Sequence, residues 1–136
     1  MIVQTQCTVF KYNVLNDYFT SVSNTFSIAL YTANADLNAN TLEYTTLEEV
    51  VGDGYTAGGL PLTVNTIASS GSTAYISFDD VSWTSANFLC RGALIYNSTT
   101  NAAIAVLDFG SDKTASGTFT ITFPTATATT AVIRNS

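Results

Sequence analysis

From Thr25 onward, apolar side chains recur at every second residue. Phe26, Ile28 and Leu30 alternate with Ser27, Ala29 and Tyr31, and Leu62 and Val64 with Thr63 and Asn65. Ala74, Ile76 and Phe78 alternate with Tyr75, Ser77 and Asp79. The clearest run is Phe119, Ile121 and Phe123, set between Thr118, Thr120 and Thr122. Successive side chains of a strand point to opposite faces, so each run predicts a half-buried antiparallel strand. Thr suits the outer face because its branched Cβ fits the pleat. Residues 88–96 and 102–109 are apolar on both faces and predict central strands. The short polar stretch 97–101 between them predicts a hairpin loop. Gly52, Gly54, Gly58 and Gly59 cluster in one loop, and Gly71 marks another. Pro124 ends a strand, residues 125–130 form a Thr/Ala tract, and residues 131–134 predict a last strand at a sheet edge.

The N-terminal stretch follows another period. Phe10, Val14, Tyr18 and Val22 recur every four residues, and Leu15 and Phe19 widen the stripe, which predicts a helix over residues 10–22. Residues 1–9 read as an extended arm. The whole is a single, mainly β domain: an arm and helix in residues 1–24, then an antiparallel β-sandwich of about seven to eight strands in residues 25–136.

Composition narrows the function. Hydrophobic residues make up 46% of the 136 and charged residues only 10%, against about 25% in an ordinary soluble domain. Thr, with 23 copies, takes much of the vacated surface. The net charge is −6, and Lys11, Arg91, Lys113 and Arg134 are the only cations. Four scattered cations cannot neutralise a phosphate backbone, so no nucleic-acid partner is expected. The chain has no histidine, which removes the commonest general base and metal ligand. Cys7 and Cys90 form no zinc pattern and no redox pair, and are expected as buried free thiols. No basic leader and no long apolar run is present, so the expectation is cytoplasmic synthesis without general export and no membrane partner. The sequon Asn97-Ser98-Thr99 carries no meaning without secretion.

The remaining constellations are structural candidates. Asp79 and Asp80 are adjacent, so on a strand they point to opposite faces and cannot pair as acid and base. Asp108 and Asp112 flank Gly110 without the spacing of a calcium loop, and turn capping accounts for them. Arg91 lies within an apolar strand and needs a carboxylate, with Asp79, Asp80 and Asp108 as candidates, either inside the subunit or across subunits. The loop 52–59 lacks the Lys-Ser/Thr pair of a phosphate cradle. Trp83 is expected to plug the rim of the core. The seven tyrosines, Tyr55 among them, either cap the core or anchor an interface. No catalytic residue, cofactor or metal site is expected, and the chain does not read as an enzyme.

Five strings occur in order: Phe26-Ser-Ile-Ala-Leu-Tyr-Thr32, Glu49-Val-Val-Gly-Asp-Gly-Tyr-Thr-Ala-Gly-Gly59, Phe78-Asp-Asp-Val-Ser-Trp83, Arg91-Gly-Ala-Leu-Ile-Tyr-Asn97 and Ala105-Val-Leu-Asp-Phe-Gly110. As an ordered set they resemble a family of small virion structural proteins of tailed bacteriophages. The resemblance covers residues 10–124 and implies a virion component without a catalytic motif. The expectation is a head decoration or cement protein on the outer capsid surface, bound to the major capsid protein as a homotrimer. A tail, neck or fibre-base component is the alternative. A carbohydrate-binding β-sandwich, with Trp83, Asp80 and Asn87 as its site, is the alternative from another class. The arm and helix either reach a neighbouring subunit or pack on their own domain.

A neutral, hydroxyl-rich surface has a direct consequence in solution. The isolated chain is expected to oligomerise or be sparingly soluble, and sedimentation velocity over a concentration series checks this.

Overall fold

A computed structural model describes residues 1–15, 25–124, 131 and 133–135. It contains β1 (Thr5–Gln6), α1 (Thr8–Leu15), β2 (Phe26–Tyr31), β3 (Leu60–Leu62), β4 (Val64–Ser70), β5 (Thr73–Phe78), β6 (Val81–Asn97), β7 (Ala103–Ile121) and β8 (Ile133–Asn135). Two antiparallel sheets form, one in the order β1-β7-β6-β2-β3 and one in the order β4-β5-β8. The main core lies where they meet. Phe26, Ile28 and Leu30 of β2 and Trp83, Phe88 and Ile95 of β6 pack there with Phe78 of β5 and Ile133 of β8. This is the mainly β, two-sheet architecture that the two-residue period predicts. The last strand also takes its expected place at an edge.

The larger sheet is covered on its other face as well. Ala29 and Tyr31 of β2, Leu94 and Tyr96 of β6 and Val106 of β7 pack there with Ile2, Cys7, Ala35 and Leu37. Every residue of β2 is therefore buried, where alternation alone predicts a half-exposed strand. The cover comes from two segments far apart in sequence, the arm and the loop after β2. The arm packs on its own domain. The Met1 ammonium donates to the Ala35 carbonyl (3.0 Å), the Val3 N–H to that of Leu37 (2.8 Å), and β1 pairs with Val106 and Ala105. The helix begins at Thr8 rather than at residue 10, and the rest of its predicted span lies outside the described residues.

The expected strands over residues 88–96 and 119–123 belong to a longer hairpin, which ends at Ile121, short of Phe123. β6 runs for 17 residues and β7 for 19, joined by a loop at residues 98–102. Its register slips between Trp83 and Ala86, between Cys90 and Gly92, and between Ile95 and Tyr96. At the second slip Cys90 pairs with Lys113 and Gly92 with Asp108, so residues 109–112 face Arg91 alone. Bulges of this kind bend a ribbon and raise its twist. Along β7, Thr114, Ser116, Thr118 and Thr120 are exposed while Ala115 and Ile121 are buried, so the hydroxyl-rich outer face is present.

Gly59 fixes how closely the loop after β2 approaches the sheet. Its φ is +77°, and a Cβ there would fall 1.8 Å from the Ile28 carbonyl oxygen. Gly59→Ala adds both a disfavoured conformation and a backbone clash. It is expected to destabilise the fold by about 3 kcal/mol or more, measured as the shift in urea midpoint.

Candidate functional site

β3 pairs with β2 only at Phe26 to Ile28, which leaves the edge of Leu30 and Tyr31 open. The loop after β2 returns to close it. The Val50 N–H donates to the Leu30 carbonyl (3.0 Å) and the Thr32 N–H to the Glu48 carbonyl (2.9 Å). Glu48 turns the chain there with a φ of +61°. The Leu30 N–H meets no strand at all and donates instead to the Tyr55 hydroxyl (3.0 Å).

That hydroxyl donates in turn to Oε2 of Glu49, which is only 7% exposed. The Gly58 N–H donates to the same oxygen (2.8 Å), and the Tyr44 hydroxyl donates to Oε1 (2.6 Å). Tyr96 lies beneath the loop, donating its hydroxyl proton to the Gly58 carbonyl (2.7 Å) and stacking on Tyr44 at 4.8 Å. The donors to Glu49 are thus two phenols and one amide, all neutral. Burial raises the phenol pKa values of Tyr31, Tyr44, Tyr55 and Tyr96, and the Glu49 carboxylate raises them further. The cluster is a clasp: both carboxylate oxygens are engaged, and the phenols beside it hold their protons.

Arg91 is half-buried at the bulge. Its Nε donates to Oδ1 of Asp108 (3.4 Å), and its terminal nitrogen lies 4.0 Å from Oδ1 of Asp112. The pair is internal, with Asp108 the partner among the three sequence candidates. Asp79 and Asp80 occupy the turn between β5 and β6 and are exposed, rather than lying on two faces of a strand. Asp79 accepts the Asn65 amide (2.7 Å), and Asp80 accepts the Phe123 N–H (3.1 Å). Asp108 also accepts the Gly110 N–H (2.9 Å), the capping role read from the sequence.

Trp83 is 2% exposed, with its ring between those of Tyr55 (6.3 Å) and Phe119 (6.0 Å). It plugs the core and offers no face to a sugar, so Trp83, Asp80 and Asn87 do not form a carbohydrate site. Tyr55 turns inward, its hydroxyl on Glu49 and its ring against Trp83 and Phe88. Cys7 and Cys90 are free and buried, and burial pushes their thiols up to about 11 and about 12. Asn97 is fully buried, its side-chain oxygen accepting the N–H groups of Thr99 and Thr100, so the sequon is a loop cap.

A cleft of about 450 Å³ runs along the open edge of β7 between Gln4, Asp108, Phe109, Phe123 and Arg134. Gln4 covers part of that edge by accepting the Asp108 N–H (3.1 Å). Among the described residues no three His, Cys, Asp or Glu side chains group as a metal site, and no helix is long and apolar enough to cross a membrane. Sequence reasoning missed Glu49 as the centre of the clasp. The available signal was a doubled Glu between Leu47 and Val50, and it did not say which of the two turns inward, because the positive φ of Glu48 decides that. No protein-family model, curated protein or solved structure matches the chain.

The clasp gives two measurable outcomes. Tyr55→Phe leaves the Leu30 N–H unpaired and removes a donor to Glu49, and is expected to cost about 2 kcal/mol in urea unfolding. The four phenols lose their protons more readily in the unfolded chain than in the native one. Stability is therefore full below about pH 10 and falls as pH rises beyond it, which melting temperatures between pH 8 and pH 11 will show.

Proposed function

We propose that this chain is a bacteriophage virion structural protein: a head decoration or cement protein that binds the major capsid protein on the outer shell. The observation that carries the reading is the ordered set of five strings between Phe26 and Gly110, each weak alone and specific together. The chemistry of the domain supports it. The outer face of the β6–β7 ribbon presents Ser82, Thr84, Asn87, Thr114, Ser116, Thr118 and Thr120, hydroxyls and amide without charge. Interface cores are depleted in charged residues, so such a face suits permanent contact. The acidic net charge keeps the protein off packaged DNA.

The mechanism is linkage. A subunit that binds the mature shell and not its precursor stabilises the mature shell by its own binding free energy. Catalysis has no part in it, and the chain is not an enzyme in this reading. Assembly takes place in the host cytoplasm, and a homotrimer matches the three-fold positions of a shell.

Imaging the particle with this protein labelled tests the reading. Label spread over the head, at a copy number on the scale of the major capsid protein, is expected. Label confined to one vertex, the neck or the tail moves the protein to the tail-component alternative.

A further inference from the structure

The loop that carries Glu49 has a burial pattern inverted at three positions, Leu47, Glu49 and Val51. It buries a carboxylate beside Val50, which enters the core at 4%, and yet exposes two other aliphatic side chains: Leu47 is 77% and Val51 96% exposed, on either side of Glu49 at 7%. A hydrophobic loop folding for stability alone would do the reverse. The conformation is also fixed. Glu48 adopts a positive φ, Glu49 is held by three donors, and Val50 is hydrogen-bonded to β2, so Leu47 and Val51 are presented by a rigid base. The loop ends beside the outer face of β6, where Asp53 pairs with Asn87 and Leu89 is half exposed two residues on.

The charge around these side chains selects the occupant. Glu43, Glu48 and Asp53 are exposed on the same stretch, and residues 12–90 contain no Lys or Arg. A two-fold contact with a second copy would set these carboxylates against themselves, and a heterologous one would have only the four scattered cations Lys11, Arg91, Lys113 and Arg134 to offer them. Nucleic acid and anionic lipid are repelled for the same reason. The complementary surface is a protein with apolar sockets rimmed by Lys or Arg.

We infer that residues 42–53 are the face that meets the virion shell, with Leu47 and Val51 entering apolar sockets in a basic rim. The inference rests on the virion reading and names its contact face. The test assembles particles with tagged full-length protein carrying either the wild-type sequence, L47S/V51S or E43K. Both changed sites are exposed, and circular dichroism with the melting temperature checks that each variant folds. L47S/V51S is expected to fall at least about tenfold in occupancy, and E43K to fall as well. Equal occupancy of L47S/V51S overturns the inference and leaves the virion reading standing. E43K bound as well as wild type overturns the basic rim. Conversion of an oligomer to monomer by L47S/V51S makes the face a contact between copies and overturns the inference. Wild type absent from particles overturns both the inference and the reading beneath it.

Discussion

The carboxylate of Glu49 closes the larger sheet. Removing an ionised carboxylate from water costs several kcal/mol, and among the described residues hydrogen bonds offset that cost. Bonds to a charged acceptor contribute about 1.5–3 kcal/mol each, so three donors match the penalty in size. What the arrangement provides beyond that balance is position. Glu49 holds Tyr55 where its hydroxyl can take the Leu30 N–H, and holds Gly58 over Tyr96. The edge of β2 is thereby finished by a side chain rather than by a strand. The outer layer over Tyr31, Leu94 and Tyr96 is pinned through the same group.

The hairpin of β6 and β7 is the second organising element, and its irregularities make it useful. A straight two-stranded ribbon of this length would project away from the domain. The slip at Arg91 lets it bend, so that Trp83, Phe88 and Ala115 serve the same core as Ile95 and Ile104. Arg91 spans the slip by reaching Asp108 at one end of the bulged segment and Asp112 near the other. The pair is half-exposed and contributes little to stability by itself. Its effect is to fix which residues bulge.

Local chemistry made the strands legible. Phe119, Ile121 and Phe123 announced their faces because burial on one side and water on the other leave a two-residue period. Trp83 was legible because a large aromatic at a strand end is seldom left in water, and the capping role of Asp108 because a turn carboxylate accepts an N–H two residues on. The full burial of β2 was not, because Ile2, Ala35 and Leu37 reach it from elsewhere in the chain. The continuity of β7 into the 119–123 run was hidden because residues 110–117 between them, rich in Gly, Ser, Asp and Lys, carry no two-residue apolar period. Glu49 was invisible as a centre because Tyr44, Tyr55 and Gly58 become its partners only once the loop has folded. The five strings that carry the family resemblance include Glu49, Tyr55 and Gly58, so the clasp sits inside the second of them without being readable from it.

The two thiols occupy separate compartments. Cys90 belongs to the core between the sheets and Cys7 to the layer on the far side of the larger sheet. Each becomes reactive only when its own layer opens, because both are buried and held protonated. The order in which a thiol-trapping reagent labels them therefore records which layer the domain sheds first, so the molecule carries a built-in clock for its own unfolding.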